Sequence, residues 1–309
     1  MTVLERVRAI APQVSNWGRW GDDDERGTVN LIDTAAVRRG AEAVRDGVIV
    51  PLSVPMDLDG PRLLGQSSRL APLRTLTMHN FAWTGDPATG ALNDDTVTMG
   101  LQSCTHWDGL SHVGYDGLLY NGFPDTSVTA EAGATRCGID KIGAISTRGL
   151  LLDVARTLGV GHLEHGFVIT AEHLGTALAA TGADPRPGDI LLVRTGLMGR
   201  FLAGDRKTYE RGSPGFDPDC ATWLRALDVA AYAVDAQNPD PFPPQDDSVF
   251  LPFHLLALRD MGMLQGQNWN LEDLAAACAG DGRHTFQLQA TPEPFTGASG
   301  APVAPVAVR

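Results

Sequence analysis

Three short apolar runs constrain this chain more than any other feature: Gly149 to Ala155, Asp189 to Gly196, and Val229 to Asp235. None alternates apolar with polar residues, and each is bounded by glycine, proline or aspartate. That is the pattern of strands covered on both faces. Helix signals fall between them. Thr170 is placed to cap a helix over Ala171 to Ala180. Asp217 and Pro218 form an N-cap and N1 pair for a helix carrying Trp223, Leu224 and Leu227. Strand and helix alternate, so the expected class is α/β.

The flanking segments read in the same way. Asp33 should cap a helix through Val37, Ala41 and Val44 that stops at Gly47, with a strand at Val48 to Leu52. Asn270 should cap a helix over Leu271 to Ala279, and Thr285 to Ala290 reads as a strand. From Asp57 to Asp95 the chain is rich in Gly, Pro and polar residues, and is expected to be a long excursion at the mouth of a pocket, with His79 on its surface. The prolines between Asn238 and Pro244 predict a rigid loop. With 309 residues, 43% of them hydrophobic, one domain spanning 1–309 is expected, an N-terminal helical segment (about 1–47) packing on it.

Charge narrows the function. The 37 acidic residues against 24 basic ones give a formal net charge of −13, with no basic patch to neutralise phosphates. Nucleic acid and anionic membranes are therefore not expected partners. No stretch approaches the roughly 20 apolar residues of a membrane span, and the start lacks a leader pattern, so a cytoplasmic protein is expected. Cys104, Cys137, Cys220 and Cys278 form no C-x-x-C and read as reduced thiols.

The chemistry concentrates at Leu101 to His112. If 101–108 is a strand, Gln102, Cys104, His106 and Asp108 share one face. The Cβ atoms of His106 and Asp108 then lie roughly 6 to 7 Å apart, close enough for both side chains to reach one divalent cation. Gly109 can turn the chain so that His112 returns as a base. An isolated H-x-D more often satisfies itself or nearby backbone. Elsewhere, Asp235 ends an apolar strand and can be functional or a turn cap. His254 can be a core or capping histidine. Cys104 is a small buried thiol or, sharing the face of His106, a nucleophile. Trp17 and Trp20 border an acidic run, Asp22 to Glu25, and can simply pack.

The spacing T-H-x-D-x-x-x-H, formed by Thr105, His106, Asp108 and His112, resembles the metal-dependent cyclase-like amidohydrolase family, which includes bacterial kynurenine formamidases and isatin hydrolases. That family's signature is H-x-G-T-H-x-D-x-P-x-H; Gln102, Cys104 and Leu110 depart from it. Further similarity lies in Trp20 to Ile32, in Pro252-Phe253-His254, and in Gly262 to Leu271, where Gln267 stands in place of a glutamate. The resemblance implies a swivelling β/β/α domain, assembled as a homodimer or homotetramer. It also implies a metal-dependent hydrolase of a small-molecule amide, lactam or lactone, with His106, Asp108 and Gln102 as metal ligands and His112 as base.

His254, Gln267, Cys104 and Asp235 are further candidates for metal or substrate contact, and Trp107, Trp17 and Trp20 for the pocket wall. The formamidases of the family hold two metals. Neutral amides at 102 and 267 leave too little negative charge for a pair of dications, so one ion, Mn2+ or Zn2+, is expected here. A lyase or cyclase of a biosynthetic pathway, using the same metal and base, is the alternative enzyme. A small-molecule-binding homologue that has lost the chemistry is the non-enzyme alternative.

Overall fold

The structure is a computed structural model that describes residues 2–61, 69–244 and 248–309. Part of the excursion expected at 57–95, namely 62–68, lies outside the described residues. The fold is mixed α/β, built on a nine-stranded sheet. Its strand order is Ile49–Pro51, Val306–Val308, Thr285–Gln289, Ser146–Asp153, Ile190–Arg194, Ala231–Val234, Leu264–Gln267, His106–Asp108 and Gly300–Pro302. The four central strands, from Ser146–Asp153 to Leu264–Gln267, run parallel, and every other pairing within this sheet is antiparallel.

The three apolar runs occupy the parallel block, and two cores explain their lack of alternation. Leu150, Leu152, Leu191, Val193, Tyr232 and Val234 belong to one core. Leu151, Ile190, Leu192, Ala231 and Ala233 belong to the other. Neighbouring residues thus enter opposite cores, and both must be apolar. The first core is closed by helices, among them Ala171–Thr181, Cys220–Leu227 and the N-terminal Val3–Val14. Thr2 and Glu5 cap this last helix reciprocally, and Val7, Ile10 and Val14 face the core.

Several expectations shift. Asp33 does cap a helix, Thr34–Glu42, but the buried positions are Ala36 and Gly40, while Val37 is exposed. The reason is close approach. A Cβ on Gly40 would lie 2.6 Å from the backbone of Thr147, so this helix docks on its smallest residues. The helix expected from Asp217 begins instead at Cys220, after a turn at 218–219 in which the Asp217 carboxylate accepts from the Asp219 backbone amide and from Arg6. The apolar segment after His254 is a π-helix, Leu255–Asp260. The 57–95 region contains a long hairpin, Leu73–Phe81 with Leu92–Thr98, almost fully exposed on both strands; His79 is exposed on it. All four cysteines are buried. Among the described residues, no helix is long and apolar enough to cross a membrane.

Gly149 pairs with Phe286, and a Cβ there would lie 2.2 Å from the phenylalanine ring. Gly149→Ala is expected to cost about 1–3 kcal/mol by overpacking, measurable as a lower urea midpoint with an unchanged slope.

Candidate metal and acid–base site

The strand at the motif is only three residues long, His106–Asp108, and residues 101–105 form turns in which Cys104 has φ +56°. The continuous strand expected over 101–108 is therefore absent, and Gln102 and Cys104 do not alternate with His106. The short strand lies between Leu264–Gln267 and Gly300–Pro302. Asp108 is registered with Gln265 and Gly300, and His106 with Gln267 and Pro302. Cross-strand partners share a face, so His106, Asp108, Gln265 and Gln267 converge on one side. Trp107 takes the opposite side. It is fully buried, packs edge-on against Trp269 at 4.9 Å and donates to the Ala290 carbonyl. Trp107 is thus a core residue, correcting its expected place in the pocket wall.

His106 and Asp108 are both completely buried. His106 Nδ1 lies 2.8 Å from the Cys104 carbonyl and donates to it, leaving Nε2 a bare lone pair. Asp108 Oδ2 accepts from Gln265 Nε2 at 3.0 Å and from Gln267 Nε2 at 2.5 Å. Asp108 Oδ1 and His106 Nε2 have no hydrogen-bond partner and stand 3.4 Å apart. A carboxylate oxygen and a bare imidazole nitrogen, buried face to face, call for a cation between them. Two donors about 2.1 Å from one ion in tetrahedral array are themselves roughly 3.4 Å apart. His112 Nε2 lies 3.7 Å from the same Oδ1. Among the described residues, no set of three or more His, Cys, Asp or Glu that could hold a metal ion is assembled. The orphaned pair therefore fits two positions of a coordination shell and leaves the others to water, substrate or side-chain amides.

The second histidine element is held from another direction. His254 Nδ1 donates to Asp240 Oδ2, and the two Asp240 oxygens also accept from the Phe253 and His254 backbone amides. His254 Nε2 is thereby an acceptor, 3.2 Å from Gln267 Nε2. Gln267 acts as a donor bridging Asp108 and His254. A glutamate there would set a second carboxylate against Asp108. Tyr232 donates to Gln265 Oε1 at 2.7 Å and fixes that amide in turn.

Burial is the largest influence on Asp108 and opposes its ionisation, but His112, His106 and His254 together hold its carboxyl far below the usual range. Burial lowers His112 to about 4; Asp108 opposes this, while His254, Arg69 and His106 reinforce it. Near pH 7 the site therefore contains an ionised Asp108 beside a neutral His112 whose side chain is 20% exposed.

The other expected residues are placed as follows. Gln102 lies beside the site with its amide against Gly300 and donating to Ser299. The Cys104 thiol belongs to a core cluster and packs close to Gly60. Its backbone carbonyl orients His106 and also accepts from Asn268 Nδ2. Asp235 gives both oxygens to Thr195 and Gly196 at the start of the Leu197–Leu202 helix, the role of a turn cap, and burial raises its pKa to about 6. Trp17 and Trp20 stack under Arg259 and Arg19.

Sequence reading alone does not reach Asp240, Gln265 or Asn268. The available signals were an acid held between two prolines ahead of His254 and two glutamines at a spacing of two in an apolar run.

Folding lowers the pKa of His112, so stability tied to its neutral ring is complete above about pH 6.5 and is lost as the pH falls through about 4. In metal-stripped protein the His112 ring resonances are expected to titrate near pH 4. A midpoint near 6.5 contradicts this geometry.

Residues 50–241 match the family described as "Putative cyclase". A solved cyclase structure, itself described as novel, is 35% identical and superposes with a TM-score of 0.87, covering 96% of this chain and all of that one. Isatin hydrolase A from Ralstonia solanacearum is 20% identical, with a TM-score of 0.63 over 88% of this chain and 94% of that one. A predicted metal-dependent hydrolase from Bacillus stearothermophilus is 14% identical, with a TM-score of 0.53 over 84% and 97%. At these lower identities the likeness is one of fold. No curated protein matches the chain. This chain belongs to the cyclase family.

Proposed function

We propose that the protein is a metal-dependent hydrolase of a small amide, lactam or lactone, its residues 1–309 forming one catalytic domain of the swivelling β/β/α kind. The observation that carries this reading is the orphaned pair, His106 Nε2 and Asp108 Oδ1, with a neutral imidazole beside it. His106 and Asp108 would hold a divalent ion, Mn2+ or Zn2+, which when bound would supply Lewis-acid polarisation and lower the pKa of water.

The chain's own residues do the rest. His112 takes a proton at Nε2 from the attacking water and delivers it to the leaving nitrogen or oxygen. Asp108, ionised and fixed by two amides, stabilises the imidazolium formed in that step. His254, held by Asp240 with Gln267 at its Nε2, lines the site as a fixed polar wall. No covalent intermediate is needed, and the Cys104 thiol has no part in the chemistry. His112→Ala is expected to retain one metal per subunit while turnover of an aryl formamide or an isatin-type lactam falls by roughly 10²-fold or more. Elemental analysis alongside the assay checks this; loss of the ion with the imidazole makes His112 a ligand and overturns the role assigned to it.

The protein works as a homo-oligomer, a dimer or tetramer, in this reading. An isolated two-stranded hairpin is marginal in water, yet Leu73, Leu76, Phe81, Trp83 and Val97 are exposed along this one, Trp83 by 75%. Light scattering at micromolar concentration should give a multiple of the 32.8 kDa chain, and Phe81→Ser with Trp83→Ser should lower it. A wild-type monomer contradicts the assembly.

A further inference from the structure

Arg69 has a charge that the described protein leaves unanswered. Among the described residues, every other arginine or lysine that is not exposed forms an ion pair with aspartate or glutamate. Arg69 is partly buried and has no acidic partner among them. Its one hydrogen bond among the described residues, from Nη1 to the Gln102 carbonyl at 3.2 Å, ties it to the segment that leads into His106. Gln102 itself lies against Gly300, the residue registered with Asp108. The guanidinium is close enough to act electrostatically on His112.

The acids of the site are directed at groups other than Arg69: Asp108 Oδ1 faces His106 Nε2 at 3.4 Å and His112 Nε2 at 3.7 Å. Asp108 Oδ2 receives two glutamine amides, and Asp240 receives His254 and two backbone amides. A planar guanidinium with unused donors beside a base is suited to a planar anion, which it can grip through two parallel hydrogen bonds. An overall charge of −13 repels anions, so a local cation is the feature that would admit one.

We propose that Arg69 is a carboxylate-recognition residue at the mouth of this site, so that the molecule taken there carries a carboxylate beside the group presented to His112. Resting on the hydrolase reading, this narrows the substrate class to acidic amides, lactams or lactones. Lysine in its place would keep the charge but not the fork.

Benzoate and benzamide, alike in shape and different in charge, test the assignment by calorimetry on the full-length protein, metal-stripped and loaded with Mn2+ or Zn2+. Metal-stripped wild type is expected to bind benzoate roughly 10-fold or more tighter than benzamide, the scale of a charge-assisted hydrogen bond. Arg69→Gln should weaken benzoate by a similar factor while leaving benzamide and the melting temperature unchanged, and Arg69→Lys should fall between. Equal binding of benzoate by wild type and Arg69→Gln, or no preference of wild type for benzoate, overturns the assignment. Neither readout involves turnover. Failure to hydrolyse any amide, lactam or lactone would defeat the hydrolase reading while leaving the carboxylate site standing on its binding data.

Discussion

The unequal treatment of the two oxygens of Asp108 is the constraint on which the site depends. Oδ2 is held by two amides from the adjacent strand, while Oδ1 has none and faces an imidazole lone pair. A fully buried carboxylate with one bare oxygen is costly unless a positive charge comes to it. Everything around the motif maintains that asymmetry. The register between His106–Asp108 and Leu264–Gln267 puts the glutamines opposite their targets. The left-handed turn at Cys104 lies two residues before His106, and the Cys104 carbonyl receives Nδ1. Tyr232 fixes the Gln265 amide that holds Asp108, and Asp240 fixes His254 directly.

Supporting groups of this kind are hard to see in a sequence because they come from far along the chain. The parallel block was legible: Leu150 to Leu152, Ile190 to Val193 and Ala231 to Val234 are apolar throughout because successive side chains enter different cores. His106, Asp108 and His112 were legible too, since all three lie within seven residues. Gln265 is 157 residues from Asp108 and looks like a polar interruption in an apolar strand. Asp240 sits among prolines, where the residues report only the stiffness of the loop.

Three misreadings share another physical origin. Among the described residues the hairpin at 73–98 has no buried face, and it lacks the two-residue hydrophobic rhythm that would reveal strands. The helix at Thr34–Glu42 docks through Ala36 and Gly40 because backbone approach, more than apolar area, sets its packing, and its larger Val37 suggested the wrong face. The motif strand is short because residues 101–105 turn, a conformation that the alternating pattern Gln102, Cys104, His106, Asp108 gives no hint of.

The two amides that secure Asp108 stand at alternate positions of one four-residue strand. A glutamine codon becomes a glutamate codon by one nucleotide exchange, and the two side chains are nearly identical in shape. Each exchange would alter the charge of this enclosed space by one unit with little change to the backbone or packing. The strand is thus a two-position dial on the electrostatics of the site, and descendants of one ancestral pocket can come to hold different numbers of cations, or differently charged ligands, on the same scaffold.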